Sequence, residues 1–405
     1  MTTSSSEKRS FVGNKKSGQG LTGQVPVRFF YKINFFSYPF LERLKGQVIF
    51  YNMPTLFPCV SEQSCNISNE TTRRRITMDQ TVFAVETSAA YNSWPMCQFV
   101  ASGLICAYSR GRGHNITEPL RAVYARVSFD KGKSWEAERL VCNTPDRGDV
   151  PIGKGVDRHG NMLLWVRSAG ADYRHALYRT NDGKGFECIS TPEFPGDLIQ
   201  VTDILHIPEI GMVSFFFGGS YGANARNYWG KLVSTDDGLT WEMSIIEDGL
   251  AIADWPTEPS AVYLGNGRIL IIARTEYCES SDLHAQFQII STDYGKTWKK
   301  SSTNIRDIFC STPSLIYDPE SKLIYNYYYW RGKGLLNRRI ADVAYIFDNP
   351  QEWPEPAIVA TGSSSLWDAG NVNSTVIGSE HFLSYYSGKA AETAIFVAMI
   401  PQTGL

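Results

Sequence analysis

The pattern S-x-D-x-G-x-x-W occurs three times in this chain, and no other feature limits its fold so sharply. It reads Ser128-Phe-Asp130-Lys-Gly132-Lys-Ser-Trp135, then Ser234-Thr-Asp236-Asp-Gly238-Leu-Thr-Trp241, then Ser291-Thr-Asp293-Tyr-Gly295-Lys-Thr-Trp298. The first two copies are 106 residues apart and the last two 57. A decayed copy is therefore expected midway, and Arg179-Thr-Asn181-Asp-Gly183-Lys-Gly-Phe186 stands there. A further step reaches Ile346-Phe-Asp348-Asn-Pro350-Gln-Glu-Trp353, so successive steps are 51, 55, 57 and 55 residues. A repeat of that length suits a four-stranded propeller blade.

Each box has a physical job. Asp bonds nearby backbone amides and Gly accepts positive φ, which together permit a tight reversal between strands. The Trp then packs over the turn as a large apolar plug. Counting back one unit from Ser128 puts the first blade near residue 78, and the remainder accommodates about six units. The expected fold is all-β: a six-bladed β-propeller over residues 79–405, preceded by a polar arm (1–25) and a small β-rich cap or attachment region (26–78). The last blade should close the ring by pairing with a strand near Thr81 to Ser88.

Composition narrows the function. The net charge of −2 and pI near 6.3 give no basic field for nucleic acid. No apolar run approaches the ~18 residues of a membrane helix, so membrane insertion is not expected. The first twenty residues lack an apolar core, so no secretory signal peptide is expected either. The eight cysteines are scattered without a CxxC and read mainly as buried thiols, with Cys59 and Cys65 close enough in sequence to pair. No His/Cys cluster suggests a metal, and no cofactor is expected. Sequons occur at Asn66, Asn69, Asn115 and Asn373. Aromatic residues make up 13%, which suits strands and also a carbohydrate surface.

Apolar runs such as Leu104-Ile-Cys-Ala-Tyr-Ser, Met212-Val-Ser-Phe-Phe-Phe and Arg268-Ile-Leu-Ile-Ile-Ala precede their boxes at a common interval and read as equivalent second strands, with Asn373 to Tyr386 supplying one in the last blade. Equivalent positions in a propeller point to the same mouth of the central channel. Arg112, Arg274 and Arg331 lie 16, 17 and 15 residues before their boxes and should meet at one rim. The arginine fork matches a carboxylate. Glu258 opens an inner strand at that same end. Arg338 and Arg339 are alternatives to Arg331.

The boxes resemble the Asp-box (BNR) repeats of the sialidase superfamily. Trp255-Pro-Thr-Glu258 through Arg274-Thr resembles the segment in which a Glu starts one strand and an Arg ends the next, and Tyr-Trp-Arg331-Gly resembles the later sialidase arginine. Departures from the exo-enzymes are as informative. Where they carry F-R-I-P this chain has Tyr91-Asn-Ser-Trp94-Pro95, where they carry the Tyr nucleophile it has Gly370-Asn371-Val-Asn373, and Gly113-His114-Asn115 occupies the place of the acid/base Asp. Tyr91 and His114 with Glu258, Arg274 and Arg331 resemble the set used by bacteriophage endosialidases.

That resemblance implies a phage tail-associated glycan depolymerase acting on an acidic, sialic-acid-type polysaccharide. The implied catalytic set is Glu258, Arg274, Arg331, His114 and Tyr91, with Arg112, Trp94 and Arg338 binding substrate and Asp130, Trp135, Asp236, Trp241, Asp293 and Trp298 as structural box residues. The partners implied are an acidic polysaccharide or sialylated glycan, and other virion tail proteins through residues 1–78. An oligomer is compatible with this, although the β-stalk of the phage enzymes is not expected here. The implied location is the virion tail, or the extracellular space after release. The alternative is a non-catalytic glycan-binding or structural tail propeller.

Overall fold

The computed structural model describes residues 81–221, 226–276 and 285–402, so the expected arm and cap lie outside the described residues. β1 (Thr81–Glu86) is followed by a first unit of β2 (Tyr91–Val100), β3 (Gly103–Gly111), β4 (Ala122–Ser128) and β5 (Arg139–Cys142). The second unit is β6 (Gly148–Val156), β7 (Met162–Ala169), β8 (Tyr173–Thr180) and β9 (Glu187–Ser190). The third is β10 (Leu198–Ile207), β11 (Gly211–Gly218), β12 (Asn227–Ser234) and β13 (Glu242–Leu250). The fourth is β14 (Thr257–Gly265), β15 (Arg268–Arg274), β16 (Phe287–Ser291) and β17 (Lys299–Ser302). The fifth is β18 (Ser314–Asp318), β19 (Leu323–Trp330), β20 (Leu335–Asp342), α1 (Val343–Ile346) and β21 (Ala357–Thr361). β22 (Ala369–Ile377), β23 (Glu380–Lys389) and β24 (Glu392–Pro401) complete the chain. The run Asn373 to Tyr386, expected as one strand, is the end of β22 and the start of β23.

The arrangement is an all-β propeller, but not with six separate blades. Four four-stranded sheets stand alone, and the remaining strands form one eight-stranded sheet in the order β22-β23-β24-β2-β3-β4-β5, with β1 on β24. Its two antiparallel halves, β2–β5 and β22–β24 with β1, meet through a single parallel pairing, Tyr91 with Thr393. The sequence spacing led to six blades; four separate four-stranded sheets are found instead, because ring closure fuses the strands of the other two expected units into one sheet. The expected closure is present, with Thr81 opposite Met399 and Phe83 opposite Val397.

Burial explains the strand composition. Second strands such as β7 and β15 are covered on both faces by neighbouring blades, so Met162–Ala169 is buried throughout and reads as a continuous run rather than an alternation. Fourth strands face solvent, and β13 is largely exposed.

The boxes lie between third and fourth strands. Ser234 Oγ donates to Asp236 Oδ1 (2.8 Å) and accepts the Gly238 amide (2.9 Å), while Thr240 donates to Asp236 from both its amide and its hydroxyl. Each box aromatic then reaches back onto the preceding blade. Trp241 packs on Trp165 at 5.2 Å between ring centroids, and Trp298 packs on Phe215 and Trp229. Phe186 joins the apolar seam of the first and second blades. In the fifth unit the turn itself is gone. α1, capped by Asp342 through the Ala344 and Tyr345 amides, takes its place. Trp353 keeps the seam function, being 2% exposed and donating from Nε1 to Gln288 Oε1 of β16 (2.9 Å).

Trp353→Ala should therefore lower stability by about 3–5 kcal/mol, as for other buried Trp truncations. Trp353→Phe should give the smaller loss of a buried amide left without its donor, about 1–3 kcal/mol. Denaturant unfolding followed by far-UV circular dichroism measures both; equal and negligible effects would show that the fifth box is vestigial.

Candidate functional site

Strand direction sets the two faces of the ring. Thr257 pairs with Arg274, Tyr91 with Gly111, and Gly370 with Tyr386, so first strands begin where second strands end. The box turns follow third strands and fall at the opposite end. Near the start of the first strand, a bulge recurs. It interrupts the ladder between Ser93 and Met96, Thr257 and Ser260, Val201 and Ile204, and Gly370 and Asn373. At three of these bulges a non-glycine residue has positive φ: Trp94 (51°), Glu258 (45°) and Asn371 (47°). Bulges of this kind re-aim side chains.

Two clusters form at this mouth. In the first, Arg274 donates to Glu258 (2.8 Å) and to Glu276 (2.9 Å), while the Thr312 and Thr257 hydroxyls donate to Glu258 and Glu276 (2.6 Å each). Burial works against the Glu258 charge, but Arg274, the Thr312 hydroxyl and the more distant Arg331 hold its carboxyl below the usual range. Glu258 is thus an anion at neutral pH. In the second cluster, the Tyr91 hydroxyl lies 2.7 Å from His114 Nδ1 and 3.1 Å from Asp368 Oδ1. Burial, with the charges of Arg331, Arg121 and Arg274, pushes the His114 pKa down from 6.5 to about 4, against the pull of Asp368. Burial, then Tyr386 and Asp368, push the Tyr91 phenol far up, so it stays protonated.

Arg331 lies between the clusters. Its Nε donates to the Ala369 carbonyl (2.8 Å), Nη1 to the Cys310 carbonyl (2.6 Å) and Nη2 to Asn371 Oδ1 (3.4 Å). All three acceptors are neutral, and the residue is 5% exposed. Gly370 permits this: at φ 110°, a Cβ there would meet Arg331 Nε at 3.2 Å. A buried cation held only by neutral acceptors is an unfavourable arrangement that an arriving anion relieves.

The five residues singled out as catalytic thus share one mouth and one electrostatic network. The three expected binding residues fare differently. Arg112 is exposed over 78% of its side chain and pairs with Glu118, so it does not join the other arginines. Arg121 does so instead. It is fully buried, donates to the Gly113 and Asn115 carbonyls and the Ser109 hydroxyl, and lies 5.0 Å from the Trp94 ring and 5.7 Å from Tyr91. Trp94 is 8% exposed and forms the floor under Tyr91, His114 and Arg121 rather than an open stacking surface. Arg338, on β20 opposite Tyr327, is buried among the tyrosines near His381 and lies outside the cluster. Arg339 is committed to Asp307 and Tyr328.

Several site residues escaped the sequence reading: Arg121, Glu276, Asp368 and the buried Arg167, which donates to the Ile199 carbonyl (3.0 Å) and whose charge interacts with Glu258. Asp368 had a signal. It stands three residues before the Asn371 bulge, as Tyr91 stands three before Trp94. Among the described residues no group of His, Cys, Asp or Glu side chains could hold a metal ion. The sequon at Asn373 is buried and donates to Asp203 (3.0 Å), and Cys188 is exposed rather than buried.

Comparison with known proteins agrees with this geometry. The BNR/Asp-box repeat profile matches residues 289–300. The propeller fold of this chain thus carries a recognised Asp-box turn. A Dyadobacter fermentans protein of unknown function superposes with TM-score 0.62 at 16% identity, over 79% of this chain and 99% of that one. The Trypanosoma rangeli sialidase bound to sialic acid gives 0.57 at 12%, over 80% of this chain and 57% of that one. The phage phi92 endosialidase gives 0.58 at 10%, over 81% and 70% respectively. Identities this low establish the fold. No curated protein matches by sequence.

The two titrating groups make a signed prediction. The Glu258 carboxyl is depressed below 4.5, so its contribution is present above that pH and is lost as pH falls further. His114 is neutral when folded down to about 4 but takes a proton near 6.5 when unfolded, so it too erodes stability on acidification, starting below 6.5. Difference curves of melting temperature against pH should show His114→Gln relieving the loss between 6.5 and 4, and Glu258→Gln relieving it below 4.5. Parallel curves for wild type and both variants would contradict these environments.

Proposed function

We propose that this mouth binds an acidic glycan and hydrolyses an internal glycosidic bond of a sialic-acid-type polysaccharide. The observation that carries the reading is the buried Arg331 guanidinium, matched only to neutral acceptors beside an ionised Glu258 and a neutral His114. The sugar carboxylate goes to Arg331, with Arg121 adding positive charge from the other side. Arg274 is occupied by Glu258 and Glu276 and serves to orient the Glu258 carboxylate. Glu258 then stabilises the positive charge of an oxocarbenium-like transition state rather than donating a proton. As the glycosidic C–O bond breaks, water oxygen bonds to the anomeric carbon, and the water proton passes through His114 Nε2 to the leaving oxygen. The sialic acid bound to the trypanosomal enzyme and the phage enzyme's designation as an endosialidase support this substrate class. Virion-tail placement, with residues 1–78 as the attachment region, belongs to the same proposal and rests on the phage resemblance.

Polysialic acid incubated with the protein should shorten into oligomers resolved by anion-exchange chromatography. Glu258→Ala or Arg331→Ala should reduce the rate by about 100- to 1,000-fold, as loss of one transition-state-stabilising group does elsewhere. No shortening of any acidic polysaccharide would end the hydrolytic reading.

A binding-only reading has two points in its favour: Arg274 already carries two carboxylates, and the stretch that resembles the exo-enzyme nucleophile segment reads Gly370-Asn371 with no Tyr. Retention on an acidic glycan array without any product would select it.

A further inference from the structure

We propose that Asp368 is a positioning residue that acts through Tyr91 to fix the tautomer of His114, so that Nε2 presents its lone pair to the substrate. This rests on the hydrolytic reading above for its role in turnover, but not for its geometry. The Tyr91 hydroxyl has one hydrogen to give, with His114 Nδ1 at 2.7 Å, Asp368 Oδ1 at 3.1 Å and the neutral Tyr386 phenol also interacting beside it; of the oxygen acceptors the ionised carboxylate is the stronger. A carboxylate oxygen only accepts. The phenol hydrogen therefore goes to Asp368, and the 2.7 Å contact must be filled by a hydrogen on His114 Nδ1. Neutral imidazole has a single N–H, so Nε2 is left as the base. The carboxylate is itself held in place. Its Oδ2 accepts the Ala390 amide (3.0 Å) and the Ser365 hydroxyl (3.0 Å), and Ser365 Oγ accepts the Asp368 amide. Tyr386 directs its own hydroxyl to the Trp367 carbonyl (2.8 Å), so it does not compete for Asp368. The result is a line from Asp368 through the Tyr91 hydroxyl to the imidazole.

The line matters because of what surrounds His114. The cations Arg331, Arg121 and Arg274 all oppose a proton on the ring, and Asp368 is the anion that favours one. Tyr91 and Tyr386 line the same space in uncharged form. When Nε2 takes a proton from water, Asp368 stabilises the imidazolium through two hydrogen bonds, in the manner of an acid that orients a catalytic histidine.

Asp368→Asn tests this, because its amide orientation is forced. The Oδ2 side must still accept the Ala390 amide, so the new NH2 faces Tyr91. Now the phenol oxygen accepts, its hydrogen turns to His114 Nδ1, and Nε2 becomes the N–H. Imidazole nitrogen-15 spectra at neutral pH, with the His114 signals assigned by their loss in His114→Gln, should show Nδ1–H in the wild type and Nε2–H in Asp368→Asn. On polysialic acid, the kcat of Asp368→Asn should fall about 100-fold, within the usual range for general-base catalysis, while KM stays near wild type. Removing the anion also lowers the imidazole titration midpoint further, so any residual activity should keep its acid limb at lower pH. Should Asp368→Asn not fold, the wild-type tautomer decides, and Tyr91→Phe should give mixed tautomers. An Nε2–H wild-type imidazole, or an unchanged tautomer in Asp368→Asn, overturns the proposal. Absence of any cleavage by the wild type would instead overturn the hydrolytic reading and leave the tautomer result to stand by itself.

Discussion

Blade-on-blade burial around a closed ring is the constraint on which everything else depends. Each sheet is covered on both faces, and each box aromatic contributes to a seam with the blade before it. The seam of the first unit can be filled only by the last and by β1, where Phe83 approaches the Gly132 turn and Trp135. Closure is consequently a long-range event, linking residues near 85 to residues near 397. The functional mouth draws Tyr91 and His114 from one side of that closure, Asp368 and Tyr386 from the other, and Glu258 and Arg331 from two further blades. The parallel bridge from Tyr91 to Thr393, reinforced by Asn92 donating to the Thr393 carbonyl (3.0 Å) and accepting from its hydroxyl through its own carbonyl, fixes Tyr91 against the last blade. Site geometry and ring closure are one and the same set of contacts there.

The electrostatics of the mouth follow from that geometry. Arg121, Arg167, Arg274 and Arg331 are brought into a small buried volume, which would be prohibitive without compensation. Compensation is uneven. Arg274 receives two carboxylates, whereas Arg331 and Arg167 receive carbonyl oxygens. Uneven compensation distinguishes a site from a structural ion pair. Compare the network of Arg110, Arg126, Glu86 and Glu138 in the first unit and its closing strand, where every arginine has its own carboxylate. That network can hold the fold together; it has no charge left for a ligand.

What the sequence made legible was what repeats. The boxes marked turns, the turns set a frame, and the frame put Glu258, Arg274 and Arg331 at one end because strand direction follows from position in the repeat. Tyr91 and His114 came from resemblance in the first unit. Legibility ended where a side chain is placed by a loop instead of a strand. Arg112 sits at the right offset but follows the end of β3, where nothing holds it inward. Arg121, nine residues later, is drawn into the mouth by loop carbonyls of Gly113 and Asn115 that no periodicity reports. Arg338 fails for the opposite reason: it lies mid-strand, facing the packed interior between the fifth and last units. The fifth box shows a further limit, since its Trp kept its seam while its turn became a helix. The blade count was off because fusion of two units depends on one backbone pairing, Tyr91 with Thr393.

The recurring bulge is where a structural repeat becomes a site. A non-glycine residue in the left-handed region costs about 1–3 kcal/mol. Had these positions served folding alone, glycine would have removed that strain at Trp94, Glu258 and Asn371. Glycine would also have removed the side chains, which are the floor beneath His114, the anion against Arg274, and the amide touching Arg331. The backbone turn at each bulge points a first-strand side chain into the mouth, and the strain is the consequence of keeping a functional group at that point. Glu258 shows the trade most clearly, because it is also buried and ionised. Its desolvated charge is held chiefly by Arg274, which ends the neighbouring strand one residue out of register with it, opposite Thr257, with the Thr312 hydroxyl and the more distant Arg331 adding to it. A glycine scan of the three bulges would relax the backbone in every case; what it removed from each would be chemistry.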